Sequence, residues 1–147
     1  MTSWDDVKLL TVTVDRLEKW DRPGLLVIGD AAHAMSPIGG VGINLAVQDA
    51  VATANILATP MAARNDPDPL LPLVHDRRIR AVKLTQGMQR MVQDSIIAPL
   101  LSSTEPLDSP PLAAKLLDRI PLLRRIPAQV IGMGFRPEHV RSPEAKR

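Results

Sequence analysis

The chain has no cysteine and no tyrosine, and it has one phenylalanine and two tryptophans in 147 residues. The first absence excludes disulfides and thiolate metal sites. The shortage of aromatics removes the stacking platforms that single-stranded nucleic acid needs, and no recognised nucleic-acid motif accompanies the basic end of the chain, Lys115 to Arg147. With a net charge of only +2, those basic residues read as a solvated helical surface, and no nucleic-acid partner is expected. His33, His75 and His139 are too far apart to show metal-ligand spacing. No apolar run approaches the roughly 20 residues of a spanning helix. Met1-Thr2-Ser3-Trp4-Asp5-Asp6 lacks the basic and apolar regions of a signal peptide. No membrane span is therefore expected, and a cytoplasmic location follows by default.

What is present is concentrated between Leu25 and Asn44. Leu25-Leu26-Val27-Ile28 is an unbroken aliphatic run of the kind buried on both faces of a parallel sheet. It ends at Gly29-Asp30. Open α/β sheets bind ligands beyond the carboxyl ends of such strands, which is where Asp30 falls. Gly39, Gly40 and Gly42 follow, just before a helical pattern. Residues without a Cβ let backbone N–H groups approach a ligand and accept positive φ. A helix starting at Gly42 or Ile43 aims unpaired N–H groups and its positive dipole end into the same crevice, where negative charge is stabilised. A tight strand-to-helix turn with a capping Asp would use many of the same residues.

The whole segment, Gly29-Asp30-Ala31-Ala32-His33, then Pro37, then Gly39-Gly40-Val41-Gly42-Ile43-Asn44, resembles the second FAD motif of the aromatic-hydroxylase-type flavoprotein monooxygenases, the para-hydroxybenzoate hydroxylase-like family. The match runs without a gap. By resemblance Asp30 would hydrogen-bond a ribityl hydroxyl of FAD, Pro37 and Gly39 would line the flavin ring, and the Gly42-to-Asn44 backbone would face its pyrimidine edge. The implied cofactor-binding set is Gly29, Asp30, Pro37, Gly39, Gly40, Gly42, Ile43 and Asn44, with no residue assigned to proton transfer. The approach through Trp4 to Leu10, Arg16-Leu17 and Trp20 also looks like this family, so the firm resemblance covers about the first 60 residues. The implied chemistry is reduction by NADH or NADPH, reaction with O₂, and oxygen transfer to an aromatic or similar organic substrate.

The family's opening Gly-x-Gly-x-x-Gly segment, which seats the FAD pyrophosphate, has no counterpart here, and neither has its Asp-Gly motif. Gly132-Met133-Gly134 lacks a preceding aliphatic strand. The chain therefore looks like the C-terminal portion of a longer flavoprotein, completed by the N-terminal half of the FAD domain in cis or in trans. Two other readings stand beside it: a noncatalytic fragment or helical partner, and a flavin-dependent halogenase or reductase.

The expected fold is α/β, the C-terminal part of a Rossmann-like FAD domain. Residues 1–20 would be a remnant of a substrate-domain sheet, 21–60 the FAD segment, and 61–147 a helical C-terminal region. Val7–Val14 alternates as a half-buried strand. A helix over about Gly42–Leu57 presents Ile43, Val47, Ala50, Ala54 and Leu57 as its buried stripe, with Asn44, Gln48 and Asn55 on another face. After a turn at 65–69, a long helix is expected from about Leu70 to Ala98, with Leu84, Met88, Met91 and Val92 on one face and Pro99 as its end. Pro106, Pro110 and Pro111 mark a linker before a short helix ending near Ile120, and Pro121 and Pro127 cut the tail. Asp30, His33 and Ser36 have the residue types of a hydrolytic triad, but no nucleophile elbow surrounds Ser36 and three neighbours on one turn need not converge.

Overall fold

The computed structural model describes residues 13–102 and 112–143. Most of the strand expected at Val7–Val14, and the 106–111 linker, lie outside them. Four short strands precede the helices: β1 (Asp15–Arg16), β2 (Asp21–Arg22), β3 (Leu25–Leu26) and β4 (His33–Ala34). β2 and β3 form an antiparallel hairpin across Pro23-Gly24, where proline presets φ and glycine takes φ +71. The Asp68 carboxylate accepts the Gly24 N–H at 2.9 Å and closes that turn from a later element. β1 pairs antiparallel with β4, and Leu17 N–H donates to Ala32 at 2.8 Å.

The aliphatic run 25–28 is thus not the parallel strand its composition suggests. Among the described residues its backbone partner is the segment just upstream, with Val27 N–H donating to Trp20 at 2.8 Å, and Leu25 is 52% exposed. A parallel ladder needs a neighbouring strand, and the described residues supply none.

Two long helices follow. α1 spans Val41–Ala62 and α2 spans Leu71–Val92, joined by a turn over Asp68–Leu70. α1 starts where the sequence indicates but runs past Leu57 and ends two residues after Pro60, whose missing N–H removes one helical hydrogen bond. Its buried face is Val41, Leu45, Asp49, Ala52 and Leu57. The expected stripe is therefore wrong except at Leu57: Ile43 and Val47 point outward. Apolar residues surround much of this helix, so periodicity fits several faces, and the face carrying Asp49 wins because α2 provides its ion partner. With its preceding turn, Ile38–Ala62 is long and apolar enough by composition alone to cross a membrane. Asn44, Gln48 and Asn55 break that run in sequence, and Asp49 is buried against α2.

α2 buries Leu71, Val74, Arg78, Ala81, Val82, Thr85, Gln86 and Gln89. Leu84 and Met91, expected inside, are exposed. Two-residue strands leave most backbone polar groups without a ladder, and buried polar groups need partners. Thr85 Oγ1 donates back to the Ala81 carbonyl one turn earlier in its own helix, while Gln86 and Gln89 turn inward to those backbone groups and displace the apolar face outward.

Pro99 does not end the helix. A π-turn over Gln93–Ile97 precedes α3 (Ala98–Ser102), so the wider turn shifts the backbone pairing just where the proline lacks an N–H. α4 (Leu112–Arg119) is the short helix expected after the linker, and a turn at Pro121–Arg124 leads into α5 (Arg125–Met133). Pro127 is accommodated in the first turn of α5 rather than cutting it.

Trp20, Ala32, Leu45, Ala81 and Val82 form the core, with Leu26, Val27, Met35, Ile79 and Phe135 packed against it. The polar face of α1 holds the C-terminal segment. Asn44 donates to Gly132 at 3.3 Å, Gln48 to Met133 at 2.8 Å, and Asn55 to His139 at 2.8 Å. This polar face is the one the sequence pattern indicates.

Candidate cofactor site

The site begins at a turn over Gly29–Ala31, where Gly29 takes φ +63 and is buried against Ala46. A Cβ there would lie 3.2 Å from the Ala46 Cβ. The next residue, Asp30, projects to the surface and makes no hydrogen bond among the described residues. From Ser36 the chain crosses Pro37 into a turn at Ile38–Gly40, with Gly39 at φ +79 and Gly40 at φ +62. These left-handed residues suit glycine, and they deliver the chain into α1 with no side chain capping its first turn.

Asp30, Met35, Ser36, Pro37, Gly40, Gly42 and Ile43 line one open cleft of about 350 Å³. Asp30 and the start of α1 face each other across it: a Cβ on Gly42 would sit 3.8 Å from Asp30 Oδ1. A carboxylate that accepts hydroxyl hydrogens stands on one wall and uncapped N–H donors with a positive dipole end on the other. Of the sequence-derived set, the cleft gathers Asp30, Pro37, Gly40, Gly42 and Ile43. Gly29 lies behind it as the buried hinge, Gly39 shapes the turn, and the Asn44 side chain is turned toward the C-terminal segment. The absence of a side-chain cap at Gly40, the left-handed glycines and an Asp30 that makes no hydrogen bond among the described residues fit a ligand whose hydroxyls meet the carboxylate and whose ring takes up negative charge, as the ribityl-flavin part of FAD does.

Beneath the cleft lies a polar knot that the sequence did not reveal. Asp49 is fully buried. Its Oδ1 accepts from Arg78 Nε at 2.8 Å, and its Oδ2 accepts from Gly29 N–H at 3.2 Å and meets His33 Nε2 at 2.5 Å. Since the carboxylate accepts, Nε2 carries the hydrogen, and His33 Nδ1 is left buried without a partner. His33 packs against Trp20 with ring centroids 5.2 Å apart and planes tilted by 40°, and the Trp20 Nε1, like His33 Nδ1, has no hydrogen-bond partner among the described residues. His33 thus points inward to Asp49, away from Asp30 and Ser36, which removes the hydrolytic arrangement. Arg78 also reaches Gln48 and the Arg136 carbonyl, each at 3.3 Å.

Glu138, on the C-terminal segment, takes a bidentate pair from Arg77 at 2.8 Å and lies 3.8 Å from Arg78. The hydrogen bonds from Arg77 hold its carboxyl below the ordinary carboxylate range against the opposing effect of burial, and they raise Arg77 in turn. Only one sign of the knot was legible in advance: Asp49 falls on the same stripe as Leu45 and Ala52. A second apolar cleft of about 340 Å³ opens on the other side of Ser36-Pro37-Ile38, against Gln93, Ile97 and Leu101.

Residues 1–88 match the family described as FAD binding domain. The chain belongs to that family, that of the aromatic-hydroxylase-type flavoproteins. It is 36% identical over 126 residues to 6-methylpretetramide 4-monooxygenase of Streptomyces rimosus, a match covering 86% of this chain and 29% of the enzyme. A dual O-methyltransferase/FAD-dependent monooxygenase of Phaeosphaeria nodorum shares 50% identity over 42 residues, 29% of this chain and 4% of its own. An uncharacterised Synechocystis protein is 36% identical over 59 residues, 40% of this chain and 14% of its own. The chain thus spans less than a third of the relatives it matches.

Proposed function

We propose that this chain supplies the flavin-facing segment of an FAD-dependent monooxygenase that uses NADH or NADPH and O₂ to hydroxylate an aromatic or similar organic compound. The observation that carries this reading is the pairing of an exposed Asp30, without a hydrogen bond among the described residues, with an α1 start that has no side-chain cap at Gly40, reached through left-handed Gly39 and Gly40, across one cleft. Asp30 would accept a hydrogen bond from the ribityl chain. Gly40, Gly42 and Ile43 would present backbone to the ring, where the N–H donors and dipole of α1 favour negative charge. Pro37 and Gly39 would flank the ring, Gly29 would hinge the Asp30 turn, and Asn44 would complete the first turn of the helix.

FAD supplies the redox chemistry, and the protein supplies position and field. The names of the Streptomyces rimosus and Phaeosphaeria nodorum relatives support oxygenation over halogenation or simple reduction. The residues 1–20, 21–60 and 61–147 would serve as sheet remnant, FAD segment and helical region, completed by a dinucleotide-binding segment.

The test is a fluorescence titration with FAD. The chain alone should bind more weakly than about 1 μM, or −8 kcal/mol, because the pyrophosphate-binding segment is not in it. Supplied with that segment from a matched relative, it should bind below that value. No binding in either state would leave the noncatalytic helical partner as the better reading.

A further inference from the structure

The loop that separates the two clefts is shaped from α2. Gln89 is 1% exposed and spends its whole side-chain amide on that loop. Its Oε1 accepts Ser36 N–H at 3.2 Å, and its Nε2 donates to the Ser36 carbonyl at 2.8 Å and to the Ile38 carbonyl at 3.0 Å. One turn earlier, the Gln86 amide does the same for the neighbouring strands. It donates to Asp15 and Ala34 carbonyls at 2.8 and 3.1 Å and accepts from Arg16 at 2.8 Å. The two side chains are alike in burial and bonding. They differ in what they hold, since Gln89 grips Ser36, which lines the cofactor cleft, and Ile38, which lines the second cleft beside it, whereas Gln86 holds neither.

That difference has an electrostatic meaning. A carbonyl oxygen is the negative end of its dipole, and a cleft meant to favour negative charge on a bound ring is weakened by any carbonyl aimed into it. Both donors of Gln89 hold such oxygens on α2, and the N-terminal end of α1 stays directed at the cleft. We propose that Gln89 is a positioning residue that sets the reduction potential of the flavin by holding the Ser36 and Ile38 carbonyls away from it, an inference that rests on the FAD reading above. Gln89 lies one residue past the stretch matched to the family, 1–88, and reaches the cleft through its hydrogen bonds to Ser36.

The experiment compares Gln89→Glu, Gln89→Met and Gln86→Met in the native holo-protein. Glu keeps an acceptor for Ser36 N–H and loses both donors, and Met keeps the length without any polar group. Two readouts are taken: the flavin midpoint potential at matched FAD occupancy, and amide hydrogen exchange of residues 36–40 without cofactor. Both Gln89 variants should lower the potential by about 30 mV, a tenfold loss of affinity for the reduced over the oxidised form. They should also speed exchange of the loop, whereas Gln86→Met should leave both unchanged. An unmoved potential in the Gln89 variants, or an equal shift in Gln86→Met, overturns the proposal. Should wild-type protein take up no flavin, the cofactor reading fails by itself, and unaltered exchange in the Gln89 variants would independently refute control of the loop.

Discussion

The cleft and the knot beneath it share a backbone but treat polar groups in opposite ways. At the cleft, among the described residues, Asp30 is exposed without a hydrogen-bond partner, the Gly40 position gives α1 no side-chain cap, and two successive glycines sit at positive φ. A few ångströms below, Asp49 uses both oxygens on three donors and Arg78 reaches four acceptor groups. Buried polar groups must find partners within the fold, as Asp49 and Arg78 do, whereas exposed groups such as Asp30 stay open to solvent or to a ligand. The two carboxylates, 19 positions apart in the chain, thus have separate duties. Asp49 holds the turn through Gly29, and Asp30 on that turn faces outward.

The sharpest way to break this contrast is to remove Asp49. Asp49→Ala strands a buried guanidinium, a buried Gly29 N–H and His33, and should cost about 3–5 kcal/mol of stability, read by urea denaturation. A loss below about 1 kcal/mol would mean the knot is not what holds the turn. It also follows that Asp49→Ala is a poor control for cofactor affinity, since it acts through the fold.

Two glycines sharpen the comparison next. Gly29→Ala meets both the left-handed penalty of about 1–2 kcal/mol and the Ala46 methyl at 3.2 Å. Gly40→Ala, at a similar φ but with nothing within 4 Å, meets the first alone. Thermal unfolding should rank Gly29→Ala as the more damaging. Equal losses would show that the packing behind the turn is loose.

The smallest effect belongs to the Arg77–Glu138 pair, in which the arginine is partly exposed and the glutamate largely covered, and where Glu138→Gln should cost about 1 kcal/mol or less. Because the folded Glu138 lies below its ordinary value of 4.5, the pair's contribution is fully present above that pH and is lost as pH falls through the lowered value. Wild type and Glu138→Gln should therefore converge in stability under acid. A gap that widens on acidification would contradict the assignment.

What was legible in the sequence follows the same division. The signals that point to the cleft residues are local: consecutive glycines, a carboxylate just after an aliphatic run, and a helix start expected at Gly42 and found at Val41. The short helix after Pro111 and the polar face of Asn44, Gln48 and Asn55 were local signals too. The knot was missed because its members lie 16 to 29 positions apart, and nothing in one sequence says that Asp49 and Arg78 meet. The buried stripes failed for a related reason. On α1 and α2 the inward faces were decided by Asp49, Arg78, Gln86 and Gln89, polar residues that periodicity assigns to solvent. Leu25–Ile28 has the composition of a parallel strand, and composition cannot say which backbone pairs with it.

The most direct test of the account is the FAD affinity of Asp30→Ala in the native holo-protein, with its denaturation midpoint measured alongside. The account predicts that FAD binding weakens by about 1.5–3 kcal/mol, the range for a hydrogen bond to a charged group, while stability stays within about 0.5 kcal/mol of wild type, as for an exposed residue. Unchanged affinity would remove Asp30 from the site, and a matching loss of stability would make it another part of the scaffold.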